Sequence, residues 1–153
     1  RENLAEHICE IVDHYKVPHE AIELELTESA FFDDKETLIG IVNKMKGYGF
    51  VVSMDDFGAG YSSLNSLKEL PIDVVKLDAE FFRGNDEEGK GKVIVSDAIG
   101  LAKKLNMRIV AEGIETREQV DFLAEKECDL IQGYYFAKPM PVEEFEVKVD
   151  EDA

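Results

Sequence analysis

Positive charge is scarce in this sequence beside negative charge. Its 153 residues carry 17 basic against 34 acidic side chains, a net charge of −17. A domain so acidic repels nucleic acid polymers and anionic membrane surfaces, because it lacks the basic footprint that both require. A small phosphate-bearing ligand stays compatible with it where a metal ion reverses the local field. Long apolar runs are missing too: none approaches the ~20 residues of a membrane span, so no direct membrane contact is expected. Cysteine is scarce, and Cys9 and Cys128 fit no metal-binding spacing; both are read as reduced, buried thiols of a cytosolic domain. There is no internal repeat and no low-complexity linker, which leaves one compact domain as the expectation. The chain opens on Arg1 rather than Met and is expected to continue upstream.

What is present is organised around Val51 to Leu64. A β-rich run ends in Asp55-Asp56, passes through Gly58-Ala59-Gly60, and restarts as a helix with Ser62 as its expected N-cap. Two adjacent carboxylates repel one another and raise one another's pKa unless a cation neutralises them, and a hard divalent metal is the simplest such cation. The competing reading is that the pair merely caps a glycine turn and stays solvated.

On either side, strands and helices alternate. Leu4, Ile8, Ile11, Val12 and Tyr15 give the first helix its apolar period, and His7, His14 and His19 in or after it are expected to be solvated or partly packed rather than metal-bound. Ile22 to Glu28 alternates apolar and polar, which fits either an antiparallel sheet with one wet side or a barrel with a polar mouth. A helix over Lys35 to Lys46, capped by Asp34, precedes the central strand. Asp73 to Asp78 reads as a third strand, with Lys76 flanked by apolar neighbours, a costly place for a cation unless anions face it. A helix over Lys92 to Leu105, a strand over Met107 to Gly113, a capping box at Thr116 to Gln119 opening a helix to Lys126, and a short strand over Cys128 to Tyr135 follow. A last helix around Val142 to Val147 and an acidic tail, Asp150 to Asp152, close the chain. This alternation predicts βαβ units and a parallel sheet. Glu25, Asp55, Lys76, Glu112 and Gln132 each stand near the C-terminal end of successive strands, the edge where α/β folds assemble their active sites.

The runs Glu25-Leu26-Thr27-Glu28-Ser29, Asp55-Asp56-Phe57-Gly58-Ala59-Gly60-Tyr61-Ser62-Ser63-Leu64, Lys76-Leu77-Asp78, Ala111-Glu112-Gly113-Ile114-Glu115-Thr116 and Gln132-Gly133-Tyr134 together resemble the EAL-domain phosphodiesterases, which hydrolyse the bacterial second messenger cyclic di-GMP. That resemblance covers nearly the whole chain in order. It implies a TIM-type (β/α) barrel with two Mg²⁺ or Mn²⁺ ions at its mouth. It also implies that Glu25, Asp55, Asp56 and Glu112 are metal ligands, with Asp55 bridging the ions, and that Lys76, with Glu112, does catalytic work by holding and polarising the attacking water. Glu28 is similar to the glutamate that steadies the loop after the Asp pair, and Gln132 to a substrate-side or water-binding group. Oxygen-only ligands suit Mg²⁺ or Mn²⁺ rather than Zn²⁺.

The sequence departs from the family pattern upstream. No Glu-Ala-Leu tripeptide occurs, the arginine close to it and the asparagine ligand of the next strand are absent, and about five strands are counted against the eight of a complete barrel. Residues 1–153 are therefore expected to be the C-terminal portion of a single EAL domain, a partial barrel that pairs its open edges as a homodimer or swapped oligomer. Alone it is expected to bind metal weakly and hydrolyse little. The complete cytoplasmic domain is expected to convert cyclic di-GMP to linear pGpG; the alternative is a catalytically inactive module that binds cyclic di-GMP as a receptor or mediates protein contacts.

Overall fold

The computed structural model describes residues 3–27, 35–55, 57, 64–78, 80 and 89–152. Its elements alternate: α1 (Leu4–His14), a 3-10 turn (His19–Ala21), β1 (Glu23–Thr27), α2 (Lys35–Tyr48), β2 (Val51–Asp55), α3 (Leu64–Glu69), β3 (Val74–Asp78), α4 (Lys90–Lys104), β4 (Arg108–Glu112), α5 (Arg117–Glu125), β5 (Leu130–Ile131) and α6 (Val142–Asp152). The strands form a single parallel sheet in the order β1-β2-β3-β4-β5, so of the two arrangements left open for the polar face of β1, the antiparallel one is ruled out. Sequential order with a helix in each described crossover is the winding of a (β/α) barrel, here in part.

Side-chain parity divides the sheet into two faces. Val52, Met54, Val75, Leu77, Ile109 and Ala111 point to one side and form the core with Val42 and Met45 of α2, Leu67 of α3, Val95 and Ile99 of α4, and Leu123 of α5. The alternate positions, Glu25, Ser53, Asp55, Val74, Lys76, Val110 and Glu112, share the opposite side. Of these, Ser53, Val74, Lys76 and Val110 are buried as well, so the second face is enclosed although polar groups line it.

Carboxylates just ahead of two strands fix the register from below. Asp73 accepts the Val52 amide at 3.0 Å and the Lys46 ammonium at 2.6 Å. Asp129 accepts the Ile109 amide at 2.8 Å. Thr116 caps α5 as a full box with Gln119.

Several expectations need correction. The inward stripe of α1 is Ala5, Ile8, Cys9 and Val12, while Leu4, Ile11 and Tyr15 are exposed; the small Ala5 lets the helix approach closely and rotates the face. Both cysteines are half-buried rather than buried, and neither is in a disulfide. The fifth strand shrinks to Leu130–Ile131, because the chain must turn at Gly133 to pass Ile114. The acidic tail is helical through Asp152, since no glycine or proline after Pro141 stops it. The expected N-caps Asp34 and Ser62, and the site residues Glu28 and Asp56, lie outside the described residues.

Candidate functional site

The centre of the polar face is Lys76. β3 places its Nζ among carboxylates from three other positions: it donates to Glu25 Oε1 of β1, stands 2.9 Å from Glu112 Oε1 of β4, and lies 3.9 Å from Asp55 Oδ1 of β2. The Lys76 side chain is 9% exposed and that of Glu25 50%, so the cluster is closed at its base and open toward Glu25. Parallel pairing explains the convergence. Thr27 pairs with Asp55 and Asp78 with Glu112, which stacks the C-terminal ends of the strands side by side.

Three carboxylates around one ammonium leave an excess of negative charge, and the titration behaviour reflects it. Burial works against the Lys76 charge, but hydrogen bonds to Glu25 and Glu112 outweigh it and push the ammonium pKa up. Burial pushes the Glu112 carboxyl up; Lys76 pulls it down, and the charges of Asp55 and Glu25 push it up again, leaving it raised. A group of oxygen donors crowded together with an excess of negative charge fits a hard divalent cation, which would relieve the repulsion and take oxygen ligands. Lys76, its pKa raised, stands in the cluster as a hydrogen-bond donor.

Two features of this face were not visible in the sequence pattern. Ser53, 0% exposed and in register with Glu25, has a hydroxyl oxygen without a hydrogen-bond partner among the described residues; a buried orphan of this kind beside a charged cluster is a place for water or ligand. The only available signal was its parity with Asp55. The second feature is the crossing of the β4 and β5 exits. Gln132 gives its amide to the Ala111 carbonyl at 2.8 Å and accepts from the Ile114 amide at 3.1 Å. Gly113 sits at φ 68°, a left-handed conformation natural to glycine. Gln132, Gly133 and Tyr134 line a cavity of ≈ 300 Å³ with Gly113 and Glu115, so Gln132 stands beside the carboxylate cluster on a separate hollow, not among the groups facing Lys76. A larger hollow of ≈ 710 Å³ runs along α1, lined by Asn3, Leu4, Glu6, His7 and Glu10, and has no part in this chemistry.

Residues 1–139 match the EAL domain family. The chain belongs to that family. Among EAL relatives, the cyclic di-GMP phosphodiesterase NbdA of Pseudomonas aeruginosa is 40% identical over 121 residues, 79% of this chain and 16% of NbdA. The EAL domain of Mycobacterium smegmatis DcpA superposes with a TM-score of 0.90 at 31% identity, covering 98% of this chain and 67% of that one. The Klebsiella pneumoniae BlrP1 complex with manganese and cyclic di-GMP superposes at 0.82 and 27% identity, over 91% of this chain and 36% of that one. The chain thus spans less than a fifth of the length of relatives such as NbdA. The match to EAL structures establishes the five-stranded sheet as part of their TIM-type barrel.

Proposed function

We propose that residues 1–153 are the C-terminal portion of a single EAL domain, and that the complete domain is a metal-dependent phosphodiesterase hydrolysing cyclic di-GMP to linear pGpG in bacterial signalling. The observation that carries this reading is the convergence of Glu25, Asp55 and Glu112 on the buried Lys76. In this reading Glu25, Asp55, Asp56 and Glu112 would hold two Mg²⁺ or Mn²⁺ ions. When bound, such ions lower the pKa of water and offset charge on phosphoryl oxygens. Lys76, kept protonated by its neighbours, donates to the attacking water and orients it; Glu112 aligns Lys76 and shares its charge. Gln132 contributes amide hydrogen bonds on the substrate side, and Glu28 steadies the loop that follows Asp56. The partners are cyclic di-GMP and a second copy of the chain, as homodimer or swapped oligomer, with no nucleic acid polymer and no direct membrane contact. No described helix is long and apolar enough to cross a membrane, and two unpaired thiols suit a cytoplasmic location.

The deciding experiment measures cyclic di-GMP hydrolysis with Mn²⁺ by this chain and by a version extended upstream to the full family domain. The expected result is pGpG from the extended form and little from the shorter one. If neither form cleaves while both bind cyclic di-GMP, the domain is a receptor and the enzymatic reading fails.

A further inference from the structure

A second convergence of ligating atoms lies at the other end of the sheet. His19 precedes β1 and Tyr48 precedes β2, so both stand at the N-terminal edge of the strands, away from the Lys76 cluster. His19 stacks on Phe50 with ring centroids 4.5 Å apart, and its Nδ1 stands 2.6 Å from the Tyr48 carbonyl oxygen. A carbonyl only accepts, so Nδ1 carries the hydrogen and Nε2 is the nitrogen left to face a ligand. Nε2 points at α1, 2.8 Å from Asp13 Oδ1. Cys9, four residues before Asp13 on the same face of α1, brings its Sγ to 3.6 Å from Asp13 Oδ2. The three ligand atoms lie within 4.8 Å of one another.

We propose that Cys9, Asp13 and His19 bind one divalent transition metal of the Zn²⁺ type, with water in the fourth position. Ligands at zinc bond lengths in a tetrahedron are about 3.3–3.8 Å apart, so small side-chain movements close the site. The imidazole is already oriented by a hydrogen bond to a carbonyl, the arrangement that metal-bound histidines generally show. One sulfur, one nitrogen and one oxygen donor make a set unlike the all-oxygen cluster around Lys76, so the two sites select different metals. A site at the N-terminal end of a barrel's strands serves stability rather than chemistry: the metal clips α1 to the segments that lead into β1 and β2. Without the metal, the same atoms form an ordinary ion pair and a weak thiol hydrogen bond.

The test uses Co²⁺ as an optical probe of the chain in excess Mg²⁺. One equivalent is expected to produce visible ligand-field bands and a near-ultraviolet thiolate-to-cobalt band, both lost on adding Zn²⁺. Cys9→Ser abolishes the thiolate band, and Cys128→Ser leaves it intact. His19→Gln weakens Co²⁺ binding about 10- to 100-fold, the loss seen even when only an outer hydrogen-bond partner of a ligand is removed. Melting of Cys9→Ser in EDTA at the unaltered temperature confirms that the variant folds. Absence of the thiolate band at saturating Co²⁺, its survival in Cys9→Ser, or its loss in Cys128→Ser overturns the site.

Discussion

Replacing Lys76 with methionine keeps the length of the side chain and removes its charge, leaving Glu25, Asp55 and Glu112 to face one another unneutralised. Urea denaturation without divalent ions should then show a loss of about 2–4 kcal/mol, under the full range for breaking a buried pair because Glu25 remains half-exposed. Added Mn²⁺ should restore more stability to Lys76→Met than to the unaltered chain, since a cation that binds only the folded form stabilises it in proportion to its affinity. Equal stability of the two proteins would show that Lys76 is not the counter-charge of this face. His19 gives a prediction of the opposite kind. Its pKa is raised above 6.5, first by the Tyr48 carbonyl and then by Asp13, against the opposing effect of burial, with Glu20 adding a smaller pull. A group whose folded pKa is raised stabilises fully below its unfolded value and loses that contribution as pH climbs through the folded value. In EDTA, melting temperature should therefore fall as pH rises from 6.5 upward, and His19→Gln should flatten that slope. The sequence placed His19 beside a helix but gave no hint of Asp13 as its partner. The contact exists because Lys16 takes φ 56° and turns the chain back on α1, a conformation that sequence periodicity does not encode.

Gly133 carries the join between two strand ends. A Cβ built there would meet the Ile114 carbonyl oxygen at 2.0 Å and its nitrogen at 2.3 Å, so backbone and not a flexible side chain would have to yield. Gly133→Ala is expected to destabilise by about 3 kcal/mol or more, at or above the upper end of ordinary overpacking. It should also disturb the bond between the Ile114 amide and Gln132, so that ligand affinity falls along with the melting temperature; a melt unchanged by the substitution would mean the crossing can open freely. The same crossing explains why β5 was overdrawn from sequence. The expected strand over Cys128 to Tyr135 takes in Tyr134 and Tyr135, yet both are exposed and belong to a turn. The other strands were legible for two reasons: β1 alternates, and β2, β3 and β4 are short apolar-rich runs, buried on both faces, that end in an acid. The last helix was underdrawn for another reason: carboxylates at a helix C-terminus oppose the macrodipole, and Asp150 to Asp152 looked like a stop where the structure continues.

Across the whole molecule, open sheet edges and net charge pull association in opposite directions. β1 and β5 have no outer strand beside them among the described residues, and unpaired edges of a parallel sheet invite a second copy. Tyr134, Phe136, Phe145 and Val147 add exposed apolar surface near the C-terminal half. Against this, each copy carries a charge of −17, and two such copies repel one another strongly in dilute salt. Screening shortens the reach of that repulsion from ~10 Å at 0.1 M salt to ~3 Å at 1 M, while strand pairing and apolar contact are not weakened by it. The acidic excess, the strand count and the placing of Glu25, Asp55, Lys76 and Glu112 at successive strand ends were plain in the sequence, whereas the contacts that gather the carboxylates on Lys76, 51 positions from Glu25, appear only once the strands pair. Sedimentation velocity at micromolar concentration should accordingly show a dimer fraction that grows from low to high salt. A monodisperse monomer with a cooperative melt under both conditions would mean that the edges are satisfied within one copy, and the paired assembly would then be abandoned.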